Sequence, residues 1–369
     1  MAKEIKILQV VGTMNRGGAE TFLMNTLRAV DKSKIKMYFL CYGDENFDYE
    51  SELKLLGGEV IRVPDVKSVG VVRHIKDIRA VIESRNIDVV HSHTYYNSVF
   101  SLFAAYISGV GSRIVHSHNT QSERDPSLVK RLYFIISRFS INILSTRKVA
   151  CGKDPGKALF GKNKFGIINN GINVSAFHFN KTLRKQTRSE LSIGDEETVI
   201  LNIARFDEQK NHEFIIDIYA QYLLLNKKAK LLLVGDGSLF TVIKDKVERM
   251  KLVDSVLFLG KRSDVAAIYS ASDLFLFPSL FEGLPVTLVE AQANGIPCLI
   301  SNAIDKDIRV TKYIKFFSLK KSAASWAERM LAIDLTRDPN QSSLLGGPYD
   351  MKKNITSIEA MYIESVRSI

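Results

Sequence analysis

The sequence predicts an α/β protein with two Rossmann-like domains, each built on a parallel sheet covered by helices. At 369 residues the chain is longer than one typical core. Short apolar runs alternate with amphipathic stretches, which is typical of parallel sheets with helices on both faces. The runs form two successive series, so we expect two sheets rather than one.

The predicted strands are short apolar segments bounded by polar or turn-forming residues. In the first half they cover residues 5–11, 37–41, 60–63, 89–93, 114–118 and 148–151. In the second half they cover 199–204, 229–234, 256–259, 274–278 and 298–301. Apolar residues at helical spacing predict helices between them, over 20–30, 74–83, 213–225 and 239–249.

Composition indicates an ordinary globular protein. With 46% hydrophobic and 25% charged residues and a mean hydropathy of -0.01, the chain is neither disordered nor a polytopic membrane protein. Its three cysteines lack metal-type spacing, which fits a reducing compartment. The N-terminus reads as a first strand without a signal peptide, and no apolar run is long enough to span a bilayer. We therefore expect a cytoplasmic protein.

The net charge is +11, and most of it falls before residue 180. A basic N-terminal half could attract nucleic acid, an anionic membrane or a phosphorylated acceptor, or could simply be a basic surface. The sequence contains no signature of a nucleic-acid-binding module, so no nucleic-acid partner is expected.

The segment from Phe277 to Glu290, FPSLFEGLPVTLVE, carries the strongest functional signal. It places Glu282 in a turn after an apolar strand and Glu290 in the following helix. Pro285 suits the first turn of that helix and Gly295 its C-terminal cap. Helix amides can hold phosphate and carboxylates can accept hydrogen bonds from sugar hydroxyls. The combination points to a nucleotide-sugar.

This segment resembles the E-x7-E motif of retaining glycosyltransferases with the GT-B fold, in particular family 4. The resemblance implies that Glu282 contacts the transferred sugar, together with the amides of Gly283 and Leu284, and that Glu290 binds the ribose. The alternative is a capping box in which Thr287 caps the helix and pairs with Glu290.

Two cations follow the strand at 199–204, in the sequence ARFDEQKN. Breaking a bond between a sugar and a diphosphate builds negative charge, which fixed cations stabilise. Arg205 and Lys210 resemble the family pattern G-R-x-x-x-x-K, although Ala204 stands where glycine is common. The resemblance implies diphosphate binding without a metal. Ordinary solvated or ion-paired side chains are the alternative.

Three further segments resemble donor-binding loops of the family. Gly17 and Gly18 open the first helix, where backbone can approach a diphosphate closely. Gly235 begins a Gly-Asp-Gly turn after a strand. A generic turn without a binding role would have the same sequence pattern. Arg262 and Val265 lie in the segment that cradles the nucleotide base, mostly through backbone.

Two His-Ser-His triplets, at 91–93 and 116–118, end successive apolar runs. Alternate residues of a strand share a face, so each triplet could present two imidazoles to a metal, as in some hydrolases. In family 4, a histidine at this later strand end lies beside the donor sugar, and His118 matches it best. For His91 and His116 we expect packed, structural roles.

The resemblance covers nearly the whole chain and sets the predicted domains. Residues 1–167, with a C-terminal helix at about 352–369, would form an N-terminal acceptor domain. Residues 168–351 would form the nucleotide-sugar donor domain, facing the first across a cleft, with the C-terminal helix crossing back to the first domain. The chain lacks the glycine-rich loop common after Pro297, and its later segments resemble the capsular and exopolysaccharide branch of the family.

The stretch 128–144 mixes apolar residues with Lys130, Arg131 and Arg138. It predicts either an interfacial helix on an anionic membrane or a buried helix with solvated edges.

Taken together, the sequence predicts a retaining glycosyltransferase. It would move a sugar from a nucleotide-sugar, a UDP-sugar by resemblance, to a glycan or lipid-linked acceptor in surface polysaccharide synthesis. The predicted catalytic residues are His118, Glu282, Arg205 and Lys210, and neither a cofactor nor a metal is expected. The open alternatives are a metal-dependent hydrolase using the histidine triplets and a non-catalytic nucleotide-sugar-binding subunit.

Overall fold

The computed structural model describes residues 4–119, 127–337 and 344–367. The chain forms two compact units: unit 1 comprises residues 1–172 and 348–369, and unit 2 comprises residues 173–347. These boundaries fall a few residues from the predicted ones at 167 and 351.

Unit 1 contains a seven-stranded sheet in the order β3-β2-β1-β4-β5-β6-β7, and every neighbouring pair is parallel. Its strands are β1 (Ile5–Val10), β2 (Ile35–Tyr42), β3 (Glu59–Val63), β4 (Val89–Ser92), β5 (Ser112–Ser117), β6 (Arg147–Ala150) and β7 (Gly166–Ile167). Six of them were predicted, and the short edge strand β7 was missed.

The helices of unit 1 follow its strands along the chain. They are α1 (Gly18–Ala29), α2 (Glu50–Leu55), α3 (Val66–Arg85), α4 (Ser98–Ile107), α5 (Leu128–Leu144) and α6 (Lys153–Phe160). Asp65 caps α3 by accepting from the Lys67 amide, and Gly70 interrupts that helix at φ 75°. This interruption explains why periodicity predicted only the part after residue 74.

Unit 2 contains a six-stranded parallel sheet in the order β10-β9-β8-β11-β12-β13. Its strands are β8 (Thr198–Ile203), β9 (Ala229–Val234), β10 (Val256–Gly260), β11 (Leu274–Phe277), β12 (Cys298–Ser301) and β13 (Ile314–Phe317). Its helices are α7 (Lys181–Glu190), α8 (His212–Leu225), α9 (Phe240–Arg249), α10 (Val265–Ala271), α11 (Val286–Asn294) and α12 (Ala323–Leu331). The edge strand β13 was not predicted.

The C-terminal helix α13 (Met351–Arg367) belongs to unit 1, and the last two residues of its predicted span lie outside the described residues. It buries Met351, Ile358, Met361 and Tyr362 in the same core as residues of β1, β2 and α1. The prediction that this helix returns to the first domain is confirmed.

Both sheets share one strand order. In each, the first strand lies between the second and the fourth, so the chain reverses direction across the sheet at β1/β4 and at β8/β11. Ligands of open α/β sheets bind at the carboxyl ends of the strands at such a switch point. The strand order therefore predicts two candidate ligand-binding sites, one in each unit.

Helix α5 corrects one alternative from the sequence, because its apolar side chains are not buried. Leu128 is 83% exposed, Ile135 66% and Phe139 68%. A buried helix is therefore the wrong interpretation of this segment. Within the described part of the chain, no helix combines the length and the apolar character needed to cross a membrane.

Candidate functional site

The switch point of unit 2 joins the two motifs singled out in the sequence. The Leu280 amide donates to the Gln209 carbonyl at 2.9 Å, and the Gln209 side chain donates to the Phe281 carbonyl at 2.9 Å. The Asn211 side chain donates to the Pro278 carbonyl at 3.1 Å. The loops after β8 and β11 are thus held together by hydrogen bonds between residues that are far apart in the sequence.

Lys210 and Glu282 form an ion pair at the centre of this arrangement. The Lys210 Nζ lies 2.7 Å from Glu282 Oε1, and the two side chains are only 18% and 5% exposed. Gln209 donates to the other carboxylate oxygen at 3.2 Å. The ammonium also lies 5.3 Å from the centre of the Phe277 ring, within range of a cation–π interaction. Two residues predicted to act on one substrate are therefore adjacent.

Arg205 lies in the same loop but differs in its surroundings. Its side chain is exposed, and no residue within the described ranges pairs with its guanidinium. Gly235 fixes the backbone beside it, since a Cβ at this position (φ 138°) would lie 2.0 Å from the Ala204 carbonyl oxygen. Gly237 packs in the same way against Phe206. The Gly-Asp-Gly turn thus holds the loop that presents Arg205.

Helix α11 begins one residue later than expected. Pro285 is its N-cap with ψ 112°, not part of the first turn, and Gly295 is the left-handed C-cap at φ 72°. Because the cap is Pro285, the alternative in which Thr287 caps the helix is wrong. Among the residues that the structure describes, none accepts a hydrogen bond from the Gly283 or Leu284 amides. These N–H groups are available to an anion or a sugar oxygen.

Glu290 lies on the buried side of α11 and is 8% exposed. The Tyr269 hydroxyl is 3.2 Å from Glu290 Oε2 and 2.8 Å from the Thr287 carbonyl oxygen. Burial, reinforced by the nearby carboxylate, raises the pKa of Tyr269 well above its usual value. The phenol therefore stays protonated, and its single proton is shared between the Thr287 carbonyl and the Glu290 carboxylate.

The loop before α10 is held by its own ion pair. Arg262 binds Asp264 through two hydrogen bonds of 2.8 and 2.6 Å, and this partner raises the pKa of the guanidinium. Val265 begins α10 directly after it. The Arg262 guanidinium is therefore engaged by Asp264, and its predicted role beside the base stays a prediction.

In unit 1, Gly17 is the N-cap of α1 and Gly18 its first residue. A Cβ on Gly17 would lie 2.4 Å from Glu20 Oε2, whereas a Cβ on Gly18 would meet nothing within 4 Å. The Glu20 carboxylate thus lies against the turn at the start of the helix.

His118 and His93 lie just beyond β5 and β4, one residue outside the strands in which they were predicted. His93 Nδ1 is 2.9 Å from His118 Nε2, and His118 Nδ1 is 3.2 Å from Asn170 Oδ1. His118 is 9% exposed, and burial lowers its pKa to about 4. The imidazole predicted to act beside the sugar is therefore neutral at neutral pH and held at both nitrogens.

His91 and His116 are fully packed. His91 Nδ1 is 2.8 Å from the Tyr362 hydroxyl, and the rings of His91 and His116 are 5.5 Å apart and inclined by 7°. Burial, reinforced by neighbouring imidazoles, holds both pKa values well below the usual range. These contacts agree with the structural roles expected for the two residues.

The same cluster bears on the metal-hydrolase alternative. Ligand nitrogens of His91, His93 and His116 lie within 4.8 Å of one another. However, both His93 nitrogens are already hydrogen-bonded, to His118 and to Gln9. A metal ion lies in the plane of each imidazole that binds it, and the planes of His91 and His116 are nearly parallel. The hydrogen bonds of His93 weigh against a metal ion here, whereas His91 Nε2 and both His116 nitrogens lack such partners, so metal independence stays a prediction.

Sequence reasoning missed the residues that hold the predicted ones in place. They are Gln209 beside Glu282, Tyr269 beside Glu290, and Asn170, Gln9 and Tyr362 around the histidines. Only Gln209 had a local signal, since it directly precedes Lys210. The others carry no distinctive spacing, because strand register and helix packing bring them to the site.

The two halves of the chain match two families. Residues 16–176 match Glycosyltransferase Family 4, and residues 184–331 match Glycosyl transferases group 1. The putative glycosyltransferase EpsF of Bacillus subtilis (strain 168) is 33% identical over 368 residues, covering 97% of this chain and 96% of that protein. The capsular polysaccharide biosynthesis glycosyltransferase CapH of Staphylococcus aureus is 26% identical over 97% of this chain and 99% of that protein.

Solved structures share the fold over nearly the entire chain. A glycosyltransferase from Rickettsia africae ESF-5 has a TM-score of 0.77 at 17% identity, covering 99% of this chain and 100% of that one. Anabaena Alr3699/HepE in complex with UDP-glucose has a TM-score of 0.75 at 18% identity, with coverage of 99% and 100%. The predicted α/β fold with two Rossmann-like domains is confirmed.

Proposed function

Because this chain belongs to glycosyltransferase family 4, and is a GT-B enzyme of that class, we propose that it transfers a sugar from a UDP-sugar with retention of anomeric configuration. The acceptor would be a glycan or a lipid-linked sugar. Relatives named for capsular polysaccharide biosynthesis support a role in assembling a surface polysaccharide.

The observation that carries this proposal is the arrangement of charge at the unit 2 switch point. An exposed, unpaired Arg205 and the buried Lys210–Glu282 pair lie in loops that are hydrogen-bonded to each other. The two cations would bind the diphosphate and stabilise the charge that it gains as its bond to the sugar breaks. Glu282 would then accept hydrogen bonds from sugar hydroxyls. This division of roles needs no metal ion.

The remaining donor contacts follow from the same unit. The unpaired amides of Gly283 and Leu284 would bind the sugar or the phosphate next to it, and Glu290, oriented by Tyr269, would bind the ribose. Backbone between Arg262 and Val265 would receive the base, and Gly235 would keep the Arg205 loop in place.

In unit 1, the Gly17–Gly18 turn would close on the diphosphate and His118 would lie beside the sugar. The bond between the anomeric carbon and the diphosphate oxygen breaks, and a bond to the acceptor oxygen forms on the same face. The departing diphosphate takes the acceptor's proton, so no side-chain nucleophile is needed. A neutral His118 suits this role, since it adds no positive charge beside the anomeric carbon, which becomes electron-poor as the bond breaks.

Calorimetric titration and a transfer assay test the donor site together. The isolated chain is expected to bind a UDP-sugar and to transfer the sugar after treatment with EDTA, with the product anomer read by proton NMR. Glu290→Gln should weaken donor binding about tenfold, because one hydrogen-bonded charge is removed. Glu248→Gln, an exposed glutamate on α9, should change nothing.

The outcomes separate the alternatives. Loss of activity with EDTA that zinc restores would favour the metal hydrolase, and donor binding without turnover would favour a non-catalytic subunit. An inverted product anomer would overturn retention while leaving the glycosyltransferase assignment intact.

We further propose that α5 holds this protein on the cytoplasmic face of an anionic membrane. The neighbouring helix α4 packs against α5 and also exposes apolar residues, Phe103 at 41% and Tyr106 at 57%. Lys130 and Arg131 are exposed at the start of α5, and this helix contains no acidic residue. Arg138 does not serve this surface, because it donates to the Leu159 and Lys157 carbonyls. Apolar burial and attraction to anionic lipid would act together.

Liposome flotation tests the membrane proposal. The protein should float with vesicles of phosphatidylglycerol and phosphatidylcholine and much less with phosphatidylcholine alone. Ile135→Ser with Phe139→Ser should abolish flotation. Leu224→Ser is the matched control, since Leu224 is 72% exposed on unit 2 and should leave flotation unchanged. Equal flotation of both variants would refute a role for α5.

A further inference from the structure

A continuous chain of hydrogen bonds connects the C-terminal helix to His118. The Tyr362 hydroxyl of α13 lies 2.9 Å from Gln9 Nε2 on β1. Gln9 Oε1 lies 2.9 Å from His93 Nε2, and His93 Nδ1 lies 2.9 Å from His118 Nε2. All four side chains are at most 9% exposed. This series of hydrogen bonds therefore runs through the protein interior, where water cannot substitute for a missing partner.

Both ends of the chain are also defined. Beyond His118, the Nδ1 atom lies 3.2 Å from Asn170 Oδ1. Beyond Tyr362, the hydroxyl lies 2.8 Å from His91 Nδ1. Since burial keeps the imidazoles neutral, each carries one N–H and one lone pair. Every hydrogen bond in the chain then constrains the direction of the next one.

Only two proton arrangements give each bond one donor and one acceptor. In the first, His118 donates from Nδ1 to Asn170 and accepts at Nε2 from His93. His93 Nε2 must then accept from the Gln9 amide nitrogen, so the Gln9 amide is reversed and its oxygen accepts from Tyr362. In the second, the Asn170 amide is reversed and every proton shifts by one position. Reversing an amide exchanges its nitrogen and oxygen without moving the other heavy atoms, so both arrangements keep the same distances.

The two arrangements place the proton on different nitrogens of His118. A mixture along the chain would bring two donors or two acceptors together, or would charge a buried imidazole, and either costs free energy. We propose that Tyr362, acting through Gln9 and His93, is a positioning residue that ties the tautomer and ring orientation of His118 to the proton position on His91. The C-terminal helix thereby contributes to transfer without contacting the donor. The functional part rests on the proposed role of His118.

The test uses the full-length protein with ¹⁵N-labelled histidine, and His118→Gln identifies the His118 signals. In the unaltered protein, the two His118 nitrogens should show the shifts of a single neutral tautomer. Tyr362→Phe, which removes only the hydroxyl, should give shifts averaged between tautomers. It should also lower kcat about fivefold, the effect of one buried hydrogen bond, with little change in KM for the donor.

A purely structural tyrosine would behave differently. Tyr219→Phe is the matched control, because Tyr219 is fully buried in unit 2 and its hydroxyl lies 2.9 Å from the Ala229 carbonyl. It should lower the melting temperature while leaving the His118 shifts and kcat unchanged. Gln9→Met interrupts the chain at its centre with similar volume and should reproduce Tyr362→Phe, which keeps the test open if Tyr362→Phe unfolds.

The outcomes are distinct. Unchanged His118 shifts in both Tyr362→Phe and Gln9→Met would overturn the proposal, whatever the activity. Altered shifts with unchanged kcat would overturn the positioning role. If the unaltered protein transfers no sugar from any donor, the proposed function fails, but the shifts still decide whether Tyr362 sets the tautomer.

Discussion

The two switch points of this molecule share a topology and differ in chemistry. At β1/β4 the chain places neutral imidazoles, an amide and a phenol, joined by hydrogen bonds. At β8/β11 it places a buried lysine–glutamate pair with an exposed arginine beside it. The strand order determines where a ligand can bind. The side chains at the strand ends determine whether that site orients a neutral group or stabilises charge.

The difference follows from how each cluster tolerates burial. Desolvation disfavours the charged form, so isolated buried imidazoles lose their protons. Opposite charges in contact stabilise each other, and Lys210 Nζ lies 2.7 Å from Glu282 Oε1. The histidine cluster should therefore respond to pH, and the ion pair should respond to removal of either partner.

Breaking the ion pair is expected to have the largest effect. Lys210→Met leaves Glu282, 5% exposed, without its cation, so unit 2 should lose about 3–5 kcal/mol of unfolding free energy. The double variant Lys210→Met with Glu282→Gln should recover most of that loss. Trp326 is the one tryptophan of the chain and is buried in unit 2, so its fluorescence during urea denaturation reports this unit.

An ion pair with an exposed carboxylate in the same unit provides the control. Asp217, 43% exposed, lies 2.7 Å from Lys246, and Asp217→Asn should cost less than about 1 kcal/mol. Equal losses for Lys210→Met and Asp217→Asn would mean that burial does not distinguish the Lys210–Glu282 pair.

Arg205 separates charge stabilisation from folding. Because it is exposed and unpaired, Arg205→Ala should leave the urea midpoint unchanged but lower kcat about 100-fold, as expected for a cation that stabilises the leaving group. Arg249→Ala removes an exposed arginine from α9 and should alter neither quantity. A rate loss below threefold for Arg205→Ala would remove Arg205 from the catalytic set.

Predictability also differs between the two switch points. Arg205, Lys210, Glu282 and Glu290 could be found from the sequence because they lie in two short loop-and-helix segments with informative spacing. Gln9 and Tyr362 could not, since 353 positions separate them and only the docking of α13 against β1 brings them into contact. Local patterns report local geometry, whereas the hydrogen-bond chain depends on tertiary packing.

The same limit explains the errors in the fold. Both missed strands, β7 and β13, lie at sheet edges; β7 has only two residues, and both are exposed, which leaves no apolar run to detect. The apolar stripe of α5 predicted a helix correctly but did not indicate what that stripe contacts. Helix faces packed in a protein interior and helix faces in lipid are both apolar.

The histidine cluster should make unit 1 sensitive to acid. The folded pKa of His118 is about 4, below its model-peptide value of 6.5, so the unfolded chain binds more protons between these values. Stability contributed by the neutral ring is complete above pH 6.5 and is lost as pH falls toward 4. Each such histidine contributes a slope of about 1.4 kcal/mol per pH unit.

His116→Phe tests this slope, because His116 packs edge-on against Phe22 and a phenyl ring preserves that contact. Calorimetric scans from pH 7.5 to 5.0 should show a shallower loss of unit 1 stability in the variant. Parallel pH profiles for His116→Phe and the unaltered protein would show that His116 does not titrate on unfolding.

The smallest expected effect sharpens the comparison most directly, because each switch point has one buried tyrosine behind a proposed functional residue. Tyr269 orients Glu290 in unit 2, whereas Tyr362 acts through Gln9 in unit 1. Tyr269→Phe should weaken UDP-sugar binding about fivefold, the value of one hydrogen bond, with kcat unchanged. Tyr222→Phe removes another buried hydroxyl of unit 2 and should leave affinity unchanged.

Since Tyr362→Phe is expected to change kcat and not affinity, the two tyrosines should give opposite kinetic signatures. If both variants changed only affinity, the division between a charge-handling and an orienting switch point would be wrong.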